Sequence, residues 1–347
     1  MKRVIRPFAA AACAVALAAC ATVARTPYTP QDQSAAVIPG IPDARVWADD
    51  PRIATEQPVV SGVALKQPTA LALSGGGADG AFGAGLLVGW SERGTRPQFT
   101  IVTGASAGAL IAPFAFLGPA YDEMLKSVFA SGEMANLLQS DGLAGLFGPG
   151  LFKPAPLRDL IARHVDAELL YAIAREYRTG RRLYVVTTNL DAQRTAIWDM
   201  GKIASSGEPG ALNLFRNILS ASASVPGVFP PVLIDVESQG RRFAEMHVDG
   251  GVTTNVLIVS RSFETSVRAN TRNALLASYQ FAKRRNWEFN LASIDADYPK
   301  STSIGFDPGY MQRLFEYGYR RGASGKMWQS APSDVQVPPP PRVAAGR

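Results

Sequence analysis

Phe99-Thr100-Ile101-Val102-Thr103-Gly104-Ala105-Ser106-Ala107-Gly108-Ala109-Leu110-Ile111-Ala112-Pro113-Phe114-Ala115-Phe116-Leu117 changes character part-way along. Phe99 to Thr103 is a short apolar run that predicts a strand, and the apolar run after Gly108 predicts a helix to Leu117. Between them, Gly104-Ala105-Ser106-Ala107-Gly108 fits the G-x-S-x-G elbow, in which a serine sits on a strained strand-to-helix turn. Small flanking residues let the neighbouring backbones pass without a Cβ clash. Three fixed positions are weak evidence in a chain rich in Gly and Ala. The strand before and helix after favour a nucleophile over a plain structural turn.

One strand earlier, Thr69 to Ser74 runs into Gly75-Gly76-Gly77-Ala78-Asp79-Gly80, then a small-residue helix from about Ala81 to Arg93. Consecutive glycines allow backbone N–H groups to converge on an oxyanion or a phosphate. Gly75, Gly77 and Gly80 also satisfy G-x-G-x-x-G. A dinucleotide site needs an acidic residue at the end of the next strand, about 20 residues on. That strand ends in Thr103-Gly104-Ala105-Ser106, with no acid, so the dinucleotide reading fails.

Towards the C-terminus, helical patterns recur at 120–130, 156–163 and 167–179, the last with Asp166 as N-cap and Gly180 as terminator. Leu183 to Leu190 is a continuous apolar run of the kind buried in a parallel sheet. A hairpin is expected across Ser238-Gln239-Gly240, joining Val232–Val236 to Arg241–Val248. A long helix over 263–285, a strand near Glu288–Ile294 and an amphipathic helix near 307–320 complete the pass. Strands alternating with helices predict an α/β fold with a doubly covered, mostly parallel sheet.

Asp249-Gly250-Gly251 closes a strand. Such an Asp is either a turn residue or a general base for Ser106. A Ser–His–Asp hydrolase places its His after the acid in chain order, and neither His164 nor His247 follows Asp249. A direct Ser106–Asp249 dyad fits better. His247 lies on the same strand face as Asp249 and is open to a supporting role, whereas His164 reads as a solvated polar residue. A carboxylate near its ordinary pKa of about 3.9 is a weak base. Activity is therefore expected to fall on acidification through Asp249, with no histidine-like limb near pH 6–7.

Length and composition bound the remaining possibilities. The 347 residues suffice for one large domain, and 47% hydrophobic against 18% charged excludes disorder along most of the chain. The net charge is +6, of which Lys2, Arg3 and Arg6 supply three, leaving +3 without a basic run, which argues against nucleic acid. Cys13 and Cys20 are the only cysteines, so no disulfide framework or cysteine metal site is available, and no metal or cofactor is expected.

Lys2 to Arg6 followed by the apolar run Phe8 to Ala19 reads as an export signal. Twelve helical residues span about 18 Å, short of the roughly 30 Å hydrocarbon core. Leu17-Ala18-Ala19-Cys20 resembles the bacterial lipobox, which implies cleavage before Cys20 and lipid attachment to it. Ala21 after it implies sorting to an outer membrane, so the expected location is the bacterial cell envelope. The expected organisation is a signal peptide over 1–19, a Pro-rich tether over 20–64, a catalytic domain over 65–330 and a disordered Pro-rich tail over 331–347.

Three blocks in order, Ser74–Gly80, Gly104–Gly108 and Asp249–Gly251, resemble the patatin-like phospholipase family. Thr187–Asp191 and Ala223–Pro231 also look like bacterial members, so the resemblance covers roughly residues 69–328. It implies a three-layer α/β/α sandwich and a serine lipid acyl hydrolase of phospholipase A or lysophospholipase type. Carried over by position, it implies Ser106 as nucleophile, Asp249 as base and the Gly75, Gly76 and Gly77 amides as oxyanion hole. Gly80, Gly104, Gly108, Gly250 and Gly251 would be motif support, and the substrate a phospholipid or other lipid ester. Two departures stand out: Asp79 where members commonly carry Arg or Lys, and a short connection from Gly251 to the helix start at Arg261. They keep a competing class in view, a non-catalytic lipoprotein that binds lipid or a partner. Leu143–Phe152, apolar and punctuated by glycine, reads as a flap over an acyl pocket or as a buried loop.

Overall fold

The computed structural model describes residues 25–50, 69–137, 152–252, 275–299 and 306–332. The signal peptide with Cys20, all but Phe152 of the flap or buried loop expected over Leu143–Phe152, most of the tail and the segment 253–274 lie outside the described residues.

Seven strands form one sheet: β1 Arg45–Trp47, β2 Ala70–Leu73, β3 Ile101–Ala105, β4 Arg182–Asn189, β5 Arg194–Asp199, β6 Val232–Ser238 and β7 Arg241–Asp249. Their order is β1-β5-β4-β3-β2, with β7 joined to β4 and β6 to β7. Among the described residues, ten helices accompany them: α1 Pro30–Ser34, α2 Gly80–Glu92, α3 Ala107–Leu117, α4 Asp122–Ala130, α5 Ala155–His164, α6 Ala167–Arg178, α7 Met200–Ser205, α8 Ala211–Ser222, α9 over 275–284 and α10 Pro308–Ser324.

The fold mixes helix and sheet as expected, but the sheet is not mostly parallel. Only β2–β3 and β3–β4 are parallel, while β1–β5, β4–β5, β4–β7 and β6–β7 are antiparallel. The connections explain the difference. Helices carry the chain from β2 to β3 and from β3 to β4, as a parallel pairing requires. From β4 to β5 the chain turns within Leu190–Gln193, with Gln193 at φ 54°, too short for a crossover. The Ser238-Gln239-Gly240 hairpin occurs as expected. Strand β4 does pair in parallel with β3, as its apolar run predicts, while its partners β5 and β7 are antiparallel.

Burial alternates across the strands. Val102, Leu183, Val185, Ala196 and Trp198 are in register and fully buried, while Ile101, Arg182, Tyr184 and Ile197 on the other face are half-buried. Helix α3 is buried on every side from Ala107 to Phe116, which is what an all-apolar helix requires.

Two further expectations are corrected. Residues 25–50 of the expected tether are built into the domain: β1 extends the sheet on β5, Tyr28 stacks on Phe243 at 4.3 Å, and Arg25 pairs with Asp191 at 2.6 Å. Ile38, Ile41 and Ala44, buried between the prolines, drive this docking. Near Glu288–Ile294 there is no strand among the described residues, only a single bridge from Leu291 to Gln329.

Candidate active site

The site forms where one edge of β4 changes partner. Over Arg182–Val186 that edge pairs with β3, and over Thr187–Asn189 with β7. Ala105 therefore lies opposite Val186, and Asp249 opposite the next residue, Thr187. Ser106 follows Ala105 directly. The sheet thus brings together the elbow and the carboxylate from distant parts of the chain.

Ser106 has φ 55° and ψ −128°, a region that non-glycine residues rarely occupy, and caps the start of α3. The flanking glycines are sterically required. A Cβ on Gly104 would lie 2.5 Å from the Gly108 carbonyl oxygen, and one on Gly108 would lie 2.3 Å from that of Leu73. The elbow is held from α8, whose Ser222 hydroxyl accepts the Ser106 N–H at 3.0 Å and donates to the Val186 carbonyl at 2.7 Å. Two residues on, the Ser224 carbonyl accepts the Asp249 N–H at 2.9 Å. Ser224 belongs to the Ala223–Pro231 stretch that the sequence resemblance includes, whereas the Ser-Ala-Ser end of a helix ahead of Pro226 is the only sequence signal for Ser222.

Asp249 lies beside the Ser106 side chain, and its carboxylate accepts the Gly251 N–H at 2.8 Å. Burial, at 4% exposure, pushes its carboxyl up to about 6, against the lowering effects of Ser106 and the Gly251 N–H. The pH limb expected from Asp249 therefore moves up from the ordinary carboxylate range. The site raises the basicity of its carboxylate by desolvation.

The first glycine block lies against the serine: a Cβ on Gly75 would be 2.7 Å from that of Ser106. Gly76 and Gly77 have φ of 154° and 56°. Gly80 packs on the elbow helix, where a Cβ would be 2.8 Å from that of Ala107, and a Cβ on Gly250 would be 2.5 Å from the Val186 carbonyl oxygen. The Asp79 carboxylate accepts a hydrogen bond from the Tyr310 hydroxyl at 2.6 Å.

Neither histidine joins the site. His247 is fully buried, with Nδ1 2.9 Å from Thr187 Oγ1, which also accepts the Trp198 indole N–H at 2.7 Å. Burial lowers its pKa despite Glu245 nearby, so the ring is neutral and stands one side chain away from the Asp249 position. His164, expected to be solvated, is instead mostly buried and lies 2.9 Å from Glu133. Among the described residues no three His, Cys, Asp or Glu side chains converge to hold a metal, and no helix is long and apolar enough to cross a membrane.

The family model for patatin-like phospholipases matches residues 71–260, more than half of the chain. The chain belongs to this family. Membership in the patatin-like phospholipases supports lipid acyl hydrolase activity in general and implies lipid substrates. The crystal structure of VipD from Legionella pneumophila aligns at 14% identity and a TM-score of 0.41, over 76% of this chain and 68% of VipD. No curated protein matches this patatin-like chain in sequence.

Proposed function

We propose that this patatin-like protein hydrolyses a carboxylic ester of a membrane lipid through an acyl-Ser106 intermediate, with a Ser106–Asp249 dyad. The observation that carries the reading is a strained elbow serine brought by the sheet register beside a buried carboxylate of raised pKa. Asp249 accepts the proton as Ser106 Oγ attacks the ester carbonyl. It returns that proton to the departing alkoxide as the C–O bond breaks. Water, deprotonated by the same carboxylate, then releases the fatty acid and restores Ser106. The amides of the Gly75–Gly77 turn stabilise the tetrahedral oxyanion, a role in which one donor typically contributes about 10²–10³-fold. A positioned base adds about 10²–10⁴-fold.

The finer features belong to the same reading. The substrate is a phospholipid or lysophospholipid, the fold a three-layer α/β/α arrangement about the mixed sheet, and the mature chain is held in the cell envelope by lipids on Cys20. A fluorophosphonate probe tests the reaction. Covalent labelling that disappears in Ser106→Ala, together with fatty-acid release from phospholipid vesicles, supports it. Folded protein that binds vesicles but takes no label sinks it in favour of a lipid-binding role.

A further inference from the structure

The glycine turn carries a carboxylate, and that carboxylate is held by a helix beyond the matched region 71–260. Asp79 is a close neighbour of the turn: its N–H donates to the Gly76 carbonyl at 3.0 Å, and a Cβ on Gly76 would stand 3.1 Å from that of Asp79. Its Oδ1 is bonded by Tyr310, the third residue of α10, itself buried at 6% exposure. Burial and the Asp79 charge both raise the Tyr310 pKa, which keeps the hydroxyl protonated as a donor.

Tyr310 is rigidly placed because α10 lies on α2 at backbone contact. A Cβ on Gly85 would be 2.0 Å from the Phe315 carbonyl oxygen, and one on Gly89 2.0 Å from that of Tyr319. From the other side, a Cβ on Gly318 would be 2.2 Å from the Phe82 carbonyl oxygen, and one on Gly322 2.2 Å from that of Leu86. The helices run parallel, with Tyr310 beside the start of α2 and Arg93, at the far end, donating to the carbonyls of Ala323 and Ser324.

A carboxylate freed in this position would turn to the nearest backbone N–H groups, because such charge-assisted bonds are about twice as strong as neutral ones. Two sets adjoin it: the amides of the glycine turn, whose Gly76 carbonyl already accepts the Asp79 N–H, and those that open α2, where Asp79 is the N-cap with no side-chain capping bond. We infer that Tyr310 is a positioning residue that acts through Asp79, holding its carboxylate on α10 and off the amides an oxyanion needs. This inference rests on the Ser106 reading and deepens it.

Full-length protein hydrolysing a p-nitrophenyl ester provides the test. Tyr310→Phe removes one hydroxyl and is expected to lower kcat about 10- to 100-fold, the scale of a lost oxyanion donor, with KM within about twofold. Asp79→Ala is expected to stay within about threefold of wild type, and Asp79→Ala combined with Tyr310→Phe to recover to the same range. A merely structural tyrosine would not be rescued by deleting its partner. Wild-type kcat in Tyr310→Phe, no recovery in the double variant, or an Asp79→Ala as slow as Tyr310→Phe each overturns the inference. Wild-type protein that fails to label at Ser106 overturns the underlying reading and this inference with it, whereas normal labelling leaves only the inference at stake.

Discussion

At the scale of single residues, the site depends on a carboxylate in the wrong solvent. Asp249 is buried, with the Ser106 side chain and the Gly251 N–H beside it, and burial pushes its carboxyl from 3.8 to about 6. A base of that strength fits proton transfer at neutral pH better than an ordinary aspartate does. We expect kcat/KM to fall below a midpoint near pH 6. Because the limb belongs to a carboxylate, its midpoint should move little with temperature, whereas an imidazole's falls steeply on heating. A strongly temperature-dependent midpoint would sink the assignment. Replacing neutral, buried His247 with Gln should retain activity within about tenfold. A His247→Gln variant as inactive as Ser106→Ala would show that the dyad is incomplete. The raised pKa also has a cost in stability. The protonated form is favoured in the folded state, so this group's contribution is fully present below about pH 3.8 and lost as pH rises through about 6. At roughly 1.4 kcal/mol per pKa unit, the ionised side chain costs on the order of 2–3 kcal/mol. Asp249→Asn, which keeps an acceptor for the Gly251 N–H, should therefore melt higher than wild type at pH 8 and show no such gain at pH 3.5.

At the scale of elements, two junctions do the positioning. One is the change of partner along β4, which sets Ala105 and Asp249 opposite consecutive residues. The other is the α2–α10 pair, where glycines remove the spacing that side chains normally impose. The second gives a contrast within one helix. Gly83 and Gly85 are two residues apart in α2, yet a Cβ on Gly83 would meet only Ile111 Cδ1 at an ordinary 3.7 Å, and one on Gly85 the Phe315 carbonyl at 2.0 Å. Gly83→Ala should stabilise by roughly 0.5–1 kcal/mol through helix propensity. Gly85→Ala should destabilise by about 1–3 kcal/mol, because the two backbones must part. Chemical denaturation of both variants checks this; two changes of the same sign would show that the helices are not packed at this distance.

At the scale of the whole molecule, what the sequence made legible was what local rules encode. The elbow at Ser106 and the Asp249 turn each sit inside a short motif, and the alternation of strands and helices gave the class. Features set by tertiary contact left no local trace: Ser222 behind the elbow, Tyr310 on Asp79, and the tight β4–β5 turn, which has no glycine and uses Gln193 instead. Proline density hid the last such feature, the docking of residues 25–50. Its energetic centre is Arg45, 5% exposed at its side chain and paired with Glu245, which is fully buried and has a second oxygen without a partner. Removing one member of a buried ion pair typically costs about 3–5 kcal/mol, because the other charge stays behind. Arg45→Met should therefore destabilise by that order, and Arg45→Met with Glu245→Leu should recover most of it. If residues 25–50 were only part of a tether, Arg45→Met would leave the melting temperature unchanged, and the domain would begin after residue 50, not before it.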